Sequence, residues 1–254
     1  MSVKLRAGVL IVGSLLWDNA GREEWRRQRL DMRAASRVLL PIRYGRLSAQ
    51  HRNYTYTIVL SKLCYRHREL GVGYVAPCQM PIGNADDLMQ ETRELAAAEG
   101  LKRWTWGAVG VLTNPNSEIP MKILATWRRY AAGQLVQCDL FAKHSKSERP
   151  VISKEGVLQL RWPHLAESDS PAEFDLLFAT PTALNEVGPY PTEREIGETC
   201  ARQDKPDYFI QNVRHGIRTA RDSKIWKNSL RLRPDWAARY PDVGIAVGLP
   251  PLKR

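Results

Sequence analysis

Residues 7–17 read Ala-Gly-Val-Leu-Ile-Val-Gly-Ser-Leu-Leu-Trp, a short apolar run that is interrupted at Gly13-Ser14. An apolar run of this length that stops at glycine predicts a buried β-strand followed by a tight turn. After the strand ends, the backbone N–H groups of Gly13 to Leu16 need acceptors, and a bound carboxylate would supply them. An ordinary turn that binds nothing explains the same stretch, so the choice depends on the rest of the chain.

The length of 254 residues suits one large domain, or one domain with a sizeable insertion. Apolar residues make up 43% of the chain, enough for a core, and no apolar run reaches the length of a membrane span. Lys4 and Arg6 before the apolar run imitate a signal peptide, but Trp17 follows and a small-x-small cleavage site does not. We therefore expect a cytoplasmic protein that does not associate with membranes.

The formal net charge of +11 favours anionic partners without distinguishing nucleic acids from small acids. Arg-rich stretches at 22–37 and 214–233, with Trp25, Trp226 and Trp236 in or near them, fit a nucleic-acid-binding protein. Nucleic acid is nevertheless not the favoured partner. The positive charge is spread along the whole chain, and no motif that reads DNA or RNA is present.

The four cysteines and five histidines have none of the spacings typical of metal ligands. The cysteines are widely scattered, so we expect buried or free thiols rather than a disulfide framework. Gly71-Val-Gly73 lacks the remaining glycine of a dinucleotide fingerprint and opens no helix. Ser14 lacks the second glycine of an esterase nucleophile elbow. These residues therefore predict neither a metal site nor a dinucleotide-binding loop.

Runs of apolar and β-branched residues alternate with helical patterns along the chain. The predicted strands cover 7–12, 38–42, 54–60, 71–76, 104–113 and 174–179. Three helices are predicted. The first covers 84–99, with Asn84 as its cap and Gly100 past its end, and the second covers 121–132 and is closed by Gly133. The third is capped by Asp207 and carries on one face Phe209, Val213, Ile217 and Ala220. An exposed helix or loop is expected over 19–35, irregular structure over 134–175 and a loop over 185–206. Several strands with one early helix are typical of the α+β class.

Glu99 lies on the core side of the predicted helix 84–99. At about 100° per residue, Leu88, Thr92, Leu95 and Glu99 fall within roughly 60° of one another. Burial and the negative end of the helix dipole both disfavour an ionised carboxylate in the last turn. A carboxyl group tuned toward neutrality suits general acid–base catalysis. The alternative is a side chain that reaches solvent from a fraying turn, or that pairs with the basic residues after it.

The features occur in a recognisable order. Strand-Gly-Ser-Leu-Leu-Trp is followed by an Arg/Tyr-rich strand turn, Thr-Ile-Val, Gly-Val-Gly-Tyr-Val, a helix ending in Glu99-Gly100, a further strand, and a late helix opening Pro206-Asp207-Tyr208. This order resembles the gamma-glutamylcyclotransferase-like superfamily. The match covers about 8–113 and 205–230, and it depends on the order and spacing of motifs that are individually short.

The resemblance implies a function and a set of site residues. In the family, the α-amine of a γ-glutamyl group attacks its own γ-carbonyl, which releases 5-oxoproline and a free amine or amino acid. Carried over to this chain, Gly13, Ser14, Leu15 and Leu16 would bind the substrate's α-carboxylate, and Glu99 would be the catalytic acid and base. The implied partner is a small-molecule γ-glutamyl substrate, and no metal or organic cofactor is implied.

Further candidates for substrate binding are Arg43 and Tyr44 in the Arg/Tyr-rich turn. A guanidinium matches a carboxylate bidentately, and Arg46 and Arg52 are the neighbouring alternatives to Arg43. The family's Tyr before Gly-Ser-Leu is Val12 here, so any contact of that hydroxyl is missing. An inactive module that binds a small acid or a partner therefore stays open beside the enzyme.

We predict one α+β domain over residues 1–254, a mixed barrel-like sheet with packed helices and a gamma-glutamylcyclotransferase-like fold. The expected cyclotransferase-like core covers about 7–115 and 174–230. An insertion at about 120–173 and a Pro-rich tail at 231–254, wrapped on the surface, complete the chain. The leaving amine and the oligomeric state do not follow from the sequence.

Overall fold

The computed structural model describes residues 4–48, 54–101, 103–203 and 206–249. Over these residues, a mixed six-stranded sheet curls into a half-barrel against which helices pack. The strands in chain order are β1 Ala7–Ile11, β2 Ser36–Leu40, β3 Ile42–Leu47, β4 Tyr56–Leu60, β5 Gly71–Pro77, β6 Gly110–Thr113, β7 His164–Leu165 and β8 Leu176–Ala179. The α+β class and the mixed, curled sheet predicted from the sequence are confirmed.

The six-stranded sheet has the order β6-β8-β1-β5-β2-β7, and β3 pairs with β4 in a separate antiparallel ribbon. β1 lies parallel to β8, whereas the other neighbouring strands of the sheet pair antiparallel. All five residues of β1 are buried. β1 is therefore an inner strand, as its uninterrupted apolar run predicts. The turn at Gly13 follows the C-terminal end of this strand.

Helices cover much of the remaining described chain. They are α1 Glu23–Arg29, α2 Leu63–His67, α3 Ala85–Ala98, α4 Met121–Leu135, α5 Glu193–Ala201, α6 Asp207–Arg214, α7 Asp222–Leu232, α8 Trp236–Arg239 and α9 Pro241–Ala246. None of the helices in the described ranges combines the length and apolarity needed to cross a bilayer.

The prediction for α3 is confirmed in detail. Asn84 and Asp87 form a capping box: the Asn84 side chain accepts from the backbone N–H of Asp87, and the Asp87 side chain accepts from the backbone N–H of Asn84. Leu88 and Leu95 are buried on the core side, as the helical period requires. Gly100 has a φ of +74°, the left-handed conformation that glycine adopts at low cost after a helix.

Removing the cap of α3 should destabilise the protein measurably. We expect Asn84→Ala to lower the free energy of unfolding by about 1 kcal/mol, because two N–H groups lose their acceptor. Asn84→Asp keeps an acceptor and should stay close to wild type. Urea unfolding of the three proteins measures the difference, and equal stability of the alanine variant would contradict the capping role.

Several predicted boundaries are wrong. α4 continues through Gly133, where a Cβ atom would meet nothing within 4 Å. Glycine inside a helix lowers stability by only about 1 kcal/mol relative to alanine, so it does not end α4. The strand predicted over 104–113 is limited to β6. The loop predicted over 185–206 contains α5, which begins with a capping box between Thr192 and Glu195 and buries Ile196. α5 packs on α7, so tertiary contact stabilises a segment whose sequence is rich in charges and prolines.

The late helix and the tail also differ from the predictions. Asp207 is the first residue of α6 rather than its cap, and α6 ends before Gly216, whose φ is +76°. The described part of the tail does not wrap the surface as predicted, because Trp236 and Val243 are fully buried. The Trp236 ring stacks on Trp226 with centroids 5.8 Å apart. Residues 250–254 lie outside the described residues.

Candidate functional site

A cavity of about 640 Å³ opens where β1 ends, beside the last turn of α3, the ribbon of β3 and β4, and the start of α6. Gly13, Ser14, Leu15 and Glu99 all line it. The polar lining also includes Arg22, Arg46, Ser48, Thr180, Thr182 and Tyr208. Glu99 and three of the four residues of the predicted carboxylate-binding turn therefore share one hollow.

Leu16 is the member of the turn that faces elsewhere. Its N–H donates to Gly13 O at 3.0 Å, and the Asp18 N–H donates to Ser14 O at 2.8 Å, so the chain turns back on itself. The Leu16 amide is therefore used by the turn itself. A ligand in the cavity would meet residues 13–15.

Arg26 of α1 holds this turn in place. One of its terminal nitrogens donates to Leu15 O at 2.7 Å and to Asp18 O at 2.9 Å, and the residue is buried. The sequence predicted an exposed, charge-laced segment over 19–35, which is wrong for Arg26 and for Arg22. Two arginines of this segment are structural parts of the site because they reach back to the turn.

Tyr208 explains why position 13 is glycine. A Cβ atom built on Gly13 would lie 2.6 Å from the Tyr208 hydroxyl oxygen, which is closer than such atoms approach in proteins. That hydroxyl also accepts from the Ile58 N–H at 3.2 Å. α6 therefore contributes a phenol to the cavity, directly against the turn.

This contact predicts a coupled pair of substitutions. Gly13→Ala should cost about 1–3 kcal/mol, because the hydroxyl must move. Tyr208→Phe should cost about 1 kcal/mol, because the Ile58 N–H loses its acceptor. In the double variant the clash with the hydroxyl is gone, so the combined loss should be clearly smaller than the sum. Chemical unfolding of the four proteins gives the coupling free energy, and strict additivity would contradict the contact.

Glu99 is the residue that ends α3, and its side chain is 19% exposed. The Thr180 hydroxyl donates to Oε1 at 2.8 Å, and an Arg22 terminal nitrogen lies 3.7 Å from Oε2. The carboxylate is thus held from two sides at the cavity wall, and the reading in which it reaches bulk solvent from a fraying turn is wrong. That this carboxyl group is tuned toward neutrality stays a prediction.

Arg22 links the turn to the carboxylate. Its side chain is 8% exposed, pairs with Asp18 and approaches Glu99. Its Nε atom is buried and has no hydrogen-bond partner within the described chain. A buried donor left unsatisfied costs about 1–3 kcal/mol. The contacts of the terminal nitrogens with Asp18 and Glu99 oppose this cost and keep the guanidinium between the turn and the carboxylate.

Arg43 and Tyr44 do not line the cavity. The Arg43 guanidinium lies over the Tyr190 ring, 4.2 Å from its centroid. Tyr44 is 3% exposed and stacks on Phe209, and burial raises the pKa of its hydroxyl well above the usual value. Tyr44 is therefore a core residue. Arg46, the neighbouring alternative, lines the cavity with its guanidinium 4.2 Å from the centroid of Trp106. Arg52 lies outside the described residues.

Other functional candidates from the sequence find less support. Trp226 and Trp236 are fully buried and Trp25 is 7% exposed, so none of them is available to stack on bases. All four cysteines are free thiols, as expected. Within the described ranges, no group of three or more His, Cys, Asp or Glu is arranged to hold a metal ion.

Arg22, Arg46, Thr180 and Tyr208 come to the cavity from four separate parts of the chain. Of these, Thr180 carried no signal in the sequence beyond following a strand. Comparison with protein-family models, with curated proteins and with solved structures gave no match.

Proposed function

We propose that this chain is a gamma-glutamylcyclotransferase-like enzyme that converts a γ-glutamyl amine or peptide to 5-oxoproline and the free amine. One observation carries the proposal: the Glu99 carboxylate and the turn at Gly13 to Leu15 line the same cavity. The gamma-glutamylcyclotransferase-like fold is part of this proposal. The mixed half-barrel with α3 ending at the cavity is compatible with it.

The turn is the proposed binding site for the substrate's α-carboxylate. Consecutive backbone N–H groups after a strand form a concave site that suits an anion. Arg22, which also lines this cavity, adds the positive charge of its guanidinium. Both features attract a negatively charged, oxygen-bearing group, which matches one end of a γ-glutamyl substrate.

Glu99 is the proposed proton carrier. It accepts a proton from the α-ammonium group, and the resulting amine attacks the γ-carbonyl carbon, closing a five-membered ring. The tetrahedral intermediate then collapses and the bond from the γ-carbon to the leaving nitrogen breaks as Glu99 returns the proton to that nitrogen. The ring nitrogen gives up its second proton, which passes to the released amine and leaves it as an ammonium ion. Since the attack is intramolecular, the enzyme mainly has to position the chain and supply one proton carrier.

Val12 also lines the cavity, where the resembled family has a tyrosine. A phenol is still present at this point, because the Tyr208 hydroxyl lies against Gly13. We propose that Tyr208 provides the polar contact that Val12 cannot make.

The direct test is turnover of γ-glutamyl dipeptides and γ-glutamylamines, with 5-oxoproline and the free amine measured by mass spectrometry. We expect the two products in equal amounts. The α-linked glutamyl dipeptide of the same composition is the matched control, and its turnover should be negligible because its side-chain carboxyl group is a free acid rather than an amide. No product from any γ-linked substrate would overturn the proposal. Binding of these compounds without turnover would instead support the inactive module.

A further inference from the structure

A second groove, of about 620 Å³, lies on the other side of the turn that follows β1: Leu15 lines the cavity, whereas Leu16 lines this groove. We infer that the groove binds a small molecule carrying a phosphate group on an aromatic body. The inference does not depend on the proposed cyclotransferase reaction, because no residue of that reaction lines the groove.

Three arginines reach the groove from different elements. Arg37 lies on β2, directly opposite Tyr74 of β5 in the sheet register. Arg218 is fixed to the start of β5 by a pair of backbone hydrogen bonds with Val72, of 2.7 and 2.9 Å. Arg214 is the last residue of α6. The sheet and the helix hold these three backbones in place, so the groove gathers three arginine side chains from separate elements.

Arginines carry the charge of the groove lining, and each of them is paired with a carboxylate that lies outside the lining. The described lining holds no aspartate or glutamate. Arg218 pairs at 3.2 Å with Asp222, which is buried. Arg37 pairs with Glu167 at 3.2 Å and Arg214 with Asp242 at 2.7 Å, but these four side chains are between 41% and 58% exposed. Such pairs are worth about 0–1 kcal/mol, and a guanidinium has five N–H donors. A phosphate, which guanidinium groups bind bidentately, can therefore share or displace these carboxylates.

Gly216 keeps the floor of the groove clear. A Cβ atom at this position would lie 2.8 Å from the Tyr74 hydroxyl and 3.9 Å from Arg37 Nε. Its φ of +76° ends α6, so glycine is needed there for the backbone as well. The consequence for a ligand is that a hydroxyl and a guanidinium remain accessible side by side.

Rings and apolar side chains form the rest of the groove. Tyr74 and His215 contribute rings, and the His215 ring is stacked against Trp17 with centroids 6.4 Å apart. Leu16 and Val213 add apolar surface. Guanidinium groups next to rings and apolar surface suit a phosphate joined to an aromatic group better than a bare phosphate.

Isothermal titration at low ionic strength, with phenyl phosphate, inorganic phosphate and phenol as probes, tests the inference. We expect phenyl phosphate to bind at least tenfold more tightly than inorganic phosphate, and phenol not to bind measurably. Arg37→Gln and Arg214→Gln should each weaken phenyl phosphate at least fivefold. Glu167→Gln should strengthen it about twofold or more, because the competing carboxylate is removed. Arg194→Gln, which changes a more exposed arginine on α5 outside the groove, is the control and should change nothing.

Three results would overturn the inference. One is equal affinity for phenyl phosphate and inorganic phosphate. Another is a loss in the Arg194 variant as large as in the Arg37 variant. The third is tighter binding of a single-stranded ten-nucleotide oligomer with a steep salt dependence, which would indicate a nucleic-acid surface. Should the Arg214 variant unfold because its contact with Asp242 on α9 is lost, the Arg37 and Glu167 variants still decide the question. Failure here leaves the release of 5-oxoproline untouched.

Discussion

Replacing Glu99 by glutamine is expected to lower the rate of 5-oxoproline formation by about 10²–10⁴-fold, the range that a positioned acid–base group contributes. Glutamine has nearly the same shape and can still accept from the Thr180 hydroxyl, which lies 2.8 Å from Glu99 Oε1. It cannot carry the proton from the substrate's ammonium group to the leaving nitrogen. The loss should therefore appear in kcat, with a smaller change in KM.

A matched control is available on the same helix. Glu94 of α3 is exposed, and Glu94→Gln makes the same chemical change away from the cavity. We expect this variant to keep wild-type turnover. Both variants should unfold at nearly the wild-type temperature, which separates a chemical defect from a folding defect. A Glu99→Gln protein that retains more than a tenth of the activity would remove Glu99 from the mechanism.

Trp236→Ala is expected to lower the free energy of unfolding by about 3–5 kcal/mol, the usual cost of truncating a fully buried large aromatic side chain. Its ring is fully buried, stacks on Trp226 and lies edge-on to Tyr240 at 6.1 Å. Phe209 of α6 also stacks on Trp226, with ring centroids 5.7 Å apart. The loss would show that the segment after residue 231 belongs to the hydrophobic core.

Ile245→Ala is the control for the same segment. Ile245 is 62% exposed, so its truncation should stay within about 0.5 kcal/mol of wild type. Urea unfolding monitored by far-ultraviolet circular dichroism measures both variants. A loss below 1 kcal/mol for Trp236→Ala would mean that the segment can detach while the rest of the domain stays folded.

Features that depend on a few consecutive residues were predicted well. α3 follows from Asn84 at its start, an apolar stripe at helical spacing and Gly100 at its end, and each of these signals acts within one or two turns. The same holds for β1, whose apolar run ends at Gly13. In both cases hydrogen bonding and side-chain pattern agree within the segment itself.

Features that depend on contacts between distant segments were not predicted from the sequence. The Arg/Tyr-rich segment lies in β3, whose register against β4 shifts between Tyr44 and Arg46, so that Arg43 lies opposite Val59 and Arg46 opposite Thr57. A bulge interrupts the two-residue alternation, so counting along the strand does not predict which side chain faces the cavity. Contacts with other segments separate the two arginines: Arg43 lies over Tyr190, and Arg46 lies at the cavity beside Trp106.

The charged segment before β2 makes the same point. Its arginines have the pattern of an exposed helix, yet Arg22 and Arg26 are buried because carbonyl groups and carboxylates of the preceding turn are there to receive them. No pattern within the segment itself predicts that those acceptors will lie beside the two arginines. Local propensity also missed α5, which is stabilised by packing on α7.

By itself, the amino-acid sequence determined the inner strand, its turn at Gly13, the capped helix that ends at Glu99 and the α+β class. Backbone preference and hydrophobic period are properties of neighbouring residues, and they act before any long-range contact forms. Only the tertiary structure decided that Glu99, Arg22, Arg46 and Tyr208 surround one cavity and that the last helices are core. Those facts depend on burial and electrostatic contact between segments far apart in the chain, which no single stretch of residues encodes.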